Sequence, residues 1–236
     1  MSVPPEAAIT AGTGAVFRGM RARPQPAHQV TPGRGPGRHR GTSVGSLLTA
    51  VRQAPDLVLH QLRRYAAQVV IARPHELSSV LVVCRGNVCC SPFAAVMLGR
   101  WLARAGIDVQ SAGLVGPGRR SPPEAILAAS RRGVNLSTHR SRTLTSAMVA
   151  AAGLVVAMDA AQAREIRRRF GKPASQLVVL SDFDPSAAAP RIIDDPFGQS
   201  AAGYDRVYGR IERCAGELAE RLLRQRLRPE SCSKSG

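Results

Sequence analysis

The sequence predicts an α/β domain, with a parallel sheet carrying helices on both faces in a three-layer arrangement. Two observations carry this reading. From Ser78 onward, short runs of Val and Leu alternate with longer stretches of helical period. Each run is followed by enough chain for a crossover, and such crossovers are right-handed, which sets the strand C-termini along one edge. A third observation locates function. Ligands of open parallel sheets bind outside those carboxyl ends, and the oddest stretch of the chain, "VCRGNVCCSP" (Val83–Pro92), follows the first apolar run.

Taken in order, Ser79–Cys84 (SVLVVC) reads as a short buried strand. Ser91–Gly106 reads as a helix with Ser91 as N-cap, Pro92 at its first position and Gly106 as its stop. Asp108–Gly113 is the second strand. Pro122–Gly133 and Arg142–Ala151 are helices, the first ended by Gly133. Gly153–Met158 is a buried strand, Asp159–Gly171 a polar helix, and Ser175–Leu180 the next strand. A loop, 181–200, leads into a long last helix from Ala201 to Leu227.

Ahead of this body, residues 1–44 are rich in Pro, Gly, Ala and Arg without an apolar period, and are expected to be a disordered basic tail. Residues 45–77 form an amphipathic helical extension. Leu48, Val51, Val58, Leu62, Tyr65 and Val69 recur at helical spacing, and Pro55 interrupts them. With Arg52, Arg63 and Arg64 they make a basic element expected to pack on the body. Contact of 45–73 with a membrane surface is the lesser alternative. The body spans 78–228, and 229–236 is a flexible tail.

Composition narrows the classes. Aromatics are only 4% of the 236 residues, so the core is expected to be aliphatic. No apolar run is long enough to span a bilayer, and no secretory leader is expected. The five cysteines, three of them clustered, do not resemble a secreted disulfide framework, so a cytoplasmic location is expected. The net charge of +17 favours anionic partners. Without an aromatic-interleaved basic stripe or a zinc-finger spacing, no specific nucleic-acid partner is expected.

A loop between a buried strand and a helix N-terminus collects unpaired backbone N–H groups. Gly86 and Asn87 are able to take the positive φ that folds them inward. The helix dipole adds partial positive charge, and together these make a nest for a phosphate-like dianion. A cysteine at the start of the nest, Cys84, lies where that field favours a sulfur nucleophile. Ser91 is placed to donate its hydroxyl to that sulfur.

From about Ser79 to Leu227 the chain resembles the low-molecular-weight protein tyrosine phosphatase family. The markers occur in the family's order: "VLVVC", "CRGNVCCSP", "SAG" at Ser111–Gly113, "LSTHRSR" at Leu136–Arg142, "VVAMD" ending at Asp159, and "DDPFG" followed by "YDRVYGRIE". The resemblance implies a four-stranded parallel sheet flanked by helices. It also implies hydrolysis of phosphotyrosine through a cysteinyl-phosphate, with no metal and no cofactor. Carried over by residue, Cys84 matches the nucleophile and Asp195 the general acid; Asp194 is its neighbour, but the Asp-Pro-aromatic pattern selects Asp195. The phosphate-binding loop comprises Arg85, Gly86, Asn87, Val88, Cys89, Cys90 and Ser91. His139 matches a residue that supports this loop around Asn87 and Ser91. Cys89 matches a second loop cysteine able to pair with Cys84 on oxidation. The implied partner is a phosphotyrosine protein, such as a bacterial tyrosine kinase.

One position departs from the pattern. Where the family carries an arginine before the hydroxyl residue, this chain has Cys90. That arginine grips phosphoryl oxygens with its planar fork, and its loss is expected to cost roughly 10³ to 10⁵ in rate. Three outcomes follow: a phosphatase severely weakened or reduced to a phosphotyrosine-binding pseudophosphatase, a site in which Arg85 lends its guanidinium from the wall, or a thiol-dependent arsenate reductase using Cys89 and Cys90. A metal site is not expected, since C-x4-C-C on one tight loop lacks tetrahedral spacing.

Overall fold

The architecture was analysed in a computed structural model, which describes residues 61–71, 77–186 and 191–226. The expected tails at 1–44 and 229–236, and most of the 45–77 extension including Pro55, lie outside the described residues.

Residues 61–71 are helical (α1). Then follow β1 (Ser79–Cys84), α2 (Cys90–Leu102), β2 (Asp108–Gly113), α3 (Pro123–Ser130), α4 (Ser146–Ala151), β3 (Leu154–Ala157), α5 (Ala160–Phe170), β4 (Leu177–Val179) and α6 (Ala201–Arg226). The four strands form one sheet in the order β2-β1-β3-β4, and every pairing is parallel. β1 is therefore flanked on both sides, with Val82 opposite Ser111 on β2 and Val156 on β3. Chain order reverses at β1, so its carboxyl end is the switch point where a crevice opens.

Alternation along β1 sorts the two faces. Val80, Val82 and Cys84 join α2, α3 and α6 in one buried cluster, whereas Leu81 and Val83 join α4 and α5 in the other. The sheet faces are aliphatic, as composition predicts, but the α2–α6 seam is not. Phe93 and Tyr208 stack with centroids 4.1 Å apart at 2°, and Tyr204 meets Tyr208 edge-on at 6.0 Å. The few aromatics are concentrated where two helices must be held in register.

Element ends follow the expected chemistry in places. Gly106 (φ 66) turns the chain after α2, and Gly171 (φ 65) ends α5. Asp159 caps α5 by accepting the Gln162 N–H at 2.8 Å. Two expectations are corrected. α2 begins one residue before Ser91, with Cys89 as its uncapped N-cap residue, because the Ser91 hydroxyl is engaged at the site. α4 starts at Ser146 rather than Arg142, with Thr145 as its cap. Residues 142–144 instead extend the sheet edge: Gly113 N donates to Arg142 O at 2.8 Å and Leu144 N to Gly113 O at 2.6 Å.

α1 corrects a third expectation. Leu62, Tyr65 and Val69 are exposed (59%, 67% and 39%). The helix packs on the body through Ala67 and Ile71, with Val70 beside them. The predicted stripe and the packed face lie on opposite sides of the same helix.

Two buried carboxylates tie down the chain after β4. Asp182 pairs with Arg191 at 2.7 Å. Asp184 accepts Arg210 Nε from α6 at 2.8 Å, and the same guanidinium donates to the Ile192 carbonyl at 2.6 Å. Arg210 thus fixes the start of the segment that carries Asp195. Replacing it leaves Asp184, 1% exposed, without its charge partner. Arg210→Met is expected to lower the unfolding free energy by about 3–5 kcal/mol in urea titrations.

Candidate active site

The loop from the end of β1 to the start of α2 is built around Asn87. It is the one non-glycine residue with positive φ (51°) among those described, and it is fully buried. Gly86 does not share that conformation, contrary to expectation; its missing Cβ matters for space instead. A Cβ there would stand 3.3 Å from Arg119 Nη1. Gly113 on β2 is the tighter constraint, since a Cβ would come within 2.9 Å of the Gly86 carbonyl carbon. The loop lies directly on the end of β2, where the Leu114 and Val115 amides donate to the Cys84 and Arg85 carbonyls at 3.0 Å.

The hydrogen bonds of Asn87 position the polar groups around the sulfur. The Arg142 backbone N–H, which only donates, reaches Asn87 Oδ1 at 2.9 Å. Nδ2 must therefore be the amide's other end, and it donates to Ser91 Oγ and Ser111 Oγ, both at 2.9 Å. Ser91 Oγ, which accepts from Nδ2, lies 3.0 Å from Cys84 Sγ, placed to donate its proton to an anionic sulfur. The Asn87 backbone N–H adds a second donor to Sγ at 3.1 Å. His139 Nε2 donates to the Asn87 carbonyl at 2.7 Å. No bond from His139 to Ser91 accompanies it. These contacts present Cys84, 7% exposed, with two donors suited to an anionic sulfur.

A cleft of about 200 Å³ opens above this sulfur. Arg85, Gly86, Val88, Cys89 and Cys90 share it with Cys84 and Asp195, whereas Asn87, Ser91 and His139 lie beneath it. Asp195 is exposed and accepts the Phe197 N–H at 3.1 Å in a local turn. Asp194 does not line the cleft. Burial pushes the Cys89 thiol up to about 12, only partly offset by its Tyr204 contact. Cys89 Sγ lies 3.9 Å from Tyr204 Oη, and its carbonyl accepts Tyr208 Oη at 3.4 Å. Cys90 is pushed well above the ordinary thiol range, first by burial and then by the neighbouring Cys84. Neither adds negative charge to the cleft at neutral pH, and neither supplies positive charge.

Three further residues shape the site: Ser111 and Arg142, bonded to the Asn87 side chain beneath the cleft, and Arg119, which lines it. Ser111 and Arg142 fall inside recognisable motifs, and the register of β2 beside β1 would have placed Ser111. Arg119 lies in a Gly-Pro-Gly-Arg-Arg loop (116–120) that carries no local signal. Its guanidinium sits over the Phe197 ring, 5.5 Å from the centroid. Among the described residues, no group of three or more His, Cys, Asp or Glu is arranged to hold a metal ion, and no helix is long and apolar enough to cross a membrane.

Comparison with known proteins follows the same geometry. The profile of the family described as low molecular weight phosphotyrosine protein phosphatase matches residues 79–228. A probable low molecular weight protein-tyrosine-phosphatase of Ralstonia solanacearum, EpsP, is 31% identical over 138 residues, covering 58% of this chain and 90% of that protein. The protein-arginine-phosphatase of Bacillus subtilis is 29% identical over 150 residues, covering 62% and 98%. The crystal structure of the Erwinia amylovora tyrosine phosphatase AmsI superposes with a TM-score of 0.57 at 26% identity, covering 63% of this chain and 95% of that one. With a match over most of the α/β body and this sheet beneath it, the chain belongs to the low molecular weight phosphotyrosine protein phosphatase family.

Proposed function

We propose that this chain hydrolyses protein phosphomonoesters, phosphotyrosine above all, using Cys84 as nucleophile and Asp195 as general acid. The observation that carries the reading is the convergence of the Ser91 hydroxyl and the Asn87 N–H on Cys84 Sγ, in the same cleft as the exposed Asp195. The anionic sulfur attacks phosphorus; an S–P bond forms as the P–O bond to the tyrosyl oxygen breaks. Asp195 donates its proton to that oxygen as it leaves. Its carboxylate then takes a proton from water, whose oxygen attacks phosphorus and breaks the S–P bond. Phosphate departs, and the sulfur regains its two donors. The partner is a phosphotyrosine-bearing protein, met in a reducing cytoplasm where the four described free cysteines stay reduced.

A second reading is favoured by one observation, Cys90 at the place of the loop arginine. It is a phosphotyrosine-binding protein without turnover. The arsenate-reductase reading gains no support from the site, because Cys89 and Cys90 are held as thiols and thiols attack slowly.

Turnover of p-nitrophenyl phosphate and of a phosphotyrosyl peptide separates the readings. Cys84→Ser is expected to abolish it, and Asp195→Asn to lower kcat by about 10²–10⁴. Cys90→Arg is expected to raise kcat, by up to roughly 10³. A native chain that is inert while Cys90→Arg is active would establish the binding-only reading. Alkylation tests the thiol assignment. At pH 7, iodoacetamide is expected to leave Cys89, Cys90 and Cys214 unmodified in the folded chain, since all three are buried and their thiols raised. Peptide mass mapping should show them reacting only after denaturation.

A further inference from the structure

The cleft has the backbone and sulfur of a phosphate site but lacks a cation at the helix start. Two other arginines line it, Arg85 and Arg119. Arg85 follows the nucleophile directly, and its side chain is exposed; only its carbonyl is tied down, by the Val115 amide. Arg119 is held differently. Its N–H donates to Ser141 Oγ at 2.9 Å, and its carbonyl accepts the Ser141 N–H at 2.9 Å. Ser141 is itself buried (3% exposed) and donates to the Gly116 carbonyl at 2.6 Å. The backbone of Arg119 is thereby fixed to the body while its side chain reaches across the cleft. Nη1 rests over Gly86, 3.3 Å from where a Cβ would be. The guanidinium also lies over Phe197, two residues from Asp195. It forms no salt bridge with any described residue.

We propose that Arg119 is the phosphoryl-binding cation of this site, delivered from the loop between β2 and α3 in place of the arginine that Cys90 replaces. The proposal rests on the reading of the cleft as a phosphate site. A glycine at 86 leaves room for the guanidinium beside the loop, where a Cβ would stand 3.3 Å from Nη1, and the Phe197 ring offers it a cation–π contact. In the cleft it shares with Cys84, and without a salt bridge to any described residue, its planar fork is available to the oxygens of a phosphoryl dianion. Its positive charge already acts on the neighbouring Cys89, where it opposes the effect of burial.

The test is a double-substitution cycle on the full chain, with inorganic phosphate as probe. Binding is measured by titration calorimetry in the native chain, Arg119→Gln, Cys90→Arg and the double variant, with Arg85→Ala alongside. Thermal melts confirm folding, and Arg119→Lys keeps charge without the fork. Arg119→Gln is expected to weaken phosphate about tenfold or more in the Cys90 background, as lost charge-assisted bonds should. It should cost less than about threefold once Cys90→Arg restores a cation at the helix start. Arg119→Lys should fall between native and Gln. An equal loss in both backgrounds would make Arg119 a wall residue and overturn the proposal. So would no loss in the Cys90 background, loss on Arg85→Ala instead, or a native chain that binds no phosphate. Calorimetry needs no turnover, so a chain that binds phosphate through Arg119 without hydrolysing esters would sink the catalytic reading and leave this one standing.

Discussion

The site depends on one buried asparagine. Asn87 holds a left-handed backbone that costs a non-glycine residue on the order of 1 kcal/mol, and every polar group it owns is engaged. Its N–H serves the sulfur, its carbonyl receives His139, its Oδ1 receives Arg142 N, and its Nδ2 serves Ser91 and Ser111. Neither aspartate nor leucine would do this work. An aspartate has no N–H for the two serines, and an apolar side chain would strand all three partners in the interior. The consequence reaches the chemistry through a single proton. Because Arg142 N fixes which end of the amide is oxygen, the Ser91 hydroxyl accepts from Nδ2 and is placed to donate to an anionic sulfur.

The scaffold explains why this arrangement is rigid. β1 is paired on both sides, so its carboxyl end has no free edge on which to shift. Gly113 brings the end of β2 so close that the loop lies on strand backbone rather than side chain. The segment that carries Asp195 is held by different means. Arg210 and Arg191 pin the chain between β4 and α6 to two buried carboxylates, while Asp195 itself remains exposed. A fixed sulfur and a solvent-facing carboxylate on a tethered segment suit the proposed reaction, in which the first must not move and the second must exchange protons.

Much of this was legible in sequence because it is local. The apolar runs give strands since a parallel sheet buries both faces of β1, and the strand-to-helix loop follows from "CRGNVCCSP". Asp159 and Gly171 bound α5 by chemistry written at their own positions. Misreadings arose where a distant partner competes. Ser91 has the composition of an N-cap, but Asn87 and Cys84 claim its hydroxyl. Arg142 and Thr143 could continue a helix, but Gly113 offers them a sheet edge. The stripe of Leu62, Tyr65 and Val69 has helical spacing, yet the body meets the opposite face through Ala67 and Ile71. Arg119 was illegible because nothing near it in sequence shows that the fold brings it over Gly86.

The α2–α6 seam has a consequence outside the chemistry. Tyr208 donates to the Cys89 carbonyl, Tyr204 touches the Cys89 sulfur, and Tyr208 stacks on Phe93 within the first turn of α2. The longest described helix therefore ends its aromatic seam on the underside of the loop between β1 and α2. A displacement of that loop is expected to tilt the stack, and aromatic rings held in a fixed asymmetric environment give a near-ultraviolet dichroism signal. The protein thus carries an intrinsic optical gauge of its own loop, read from side chains that no ligand in the cleft would touch.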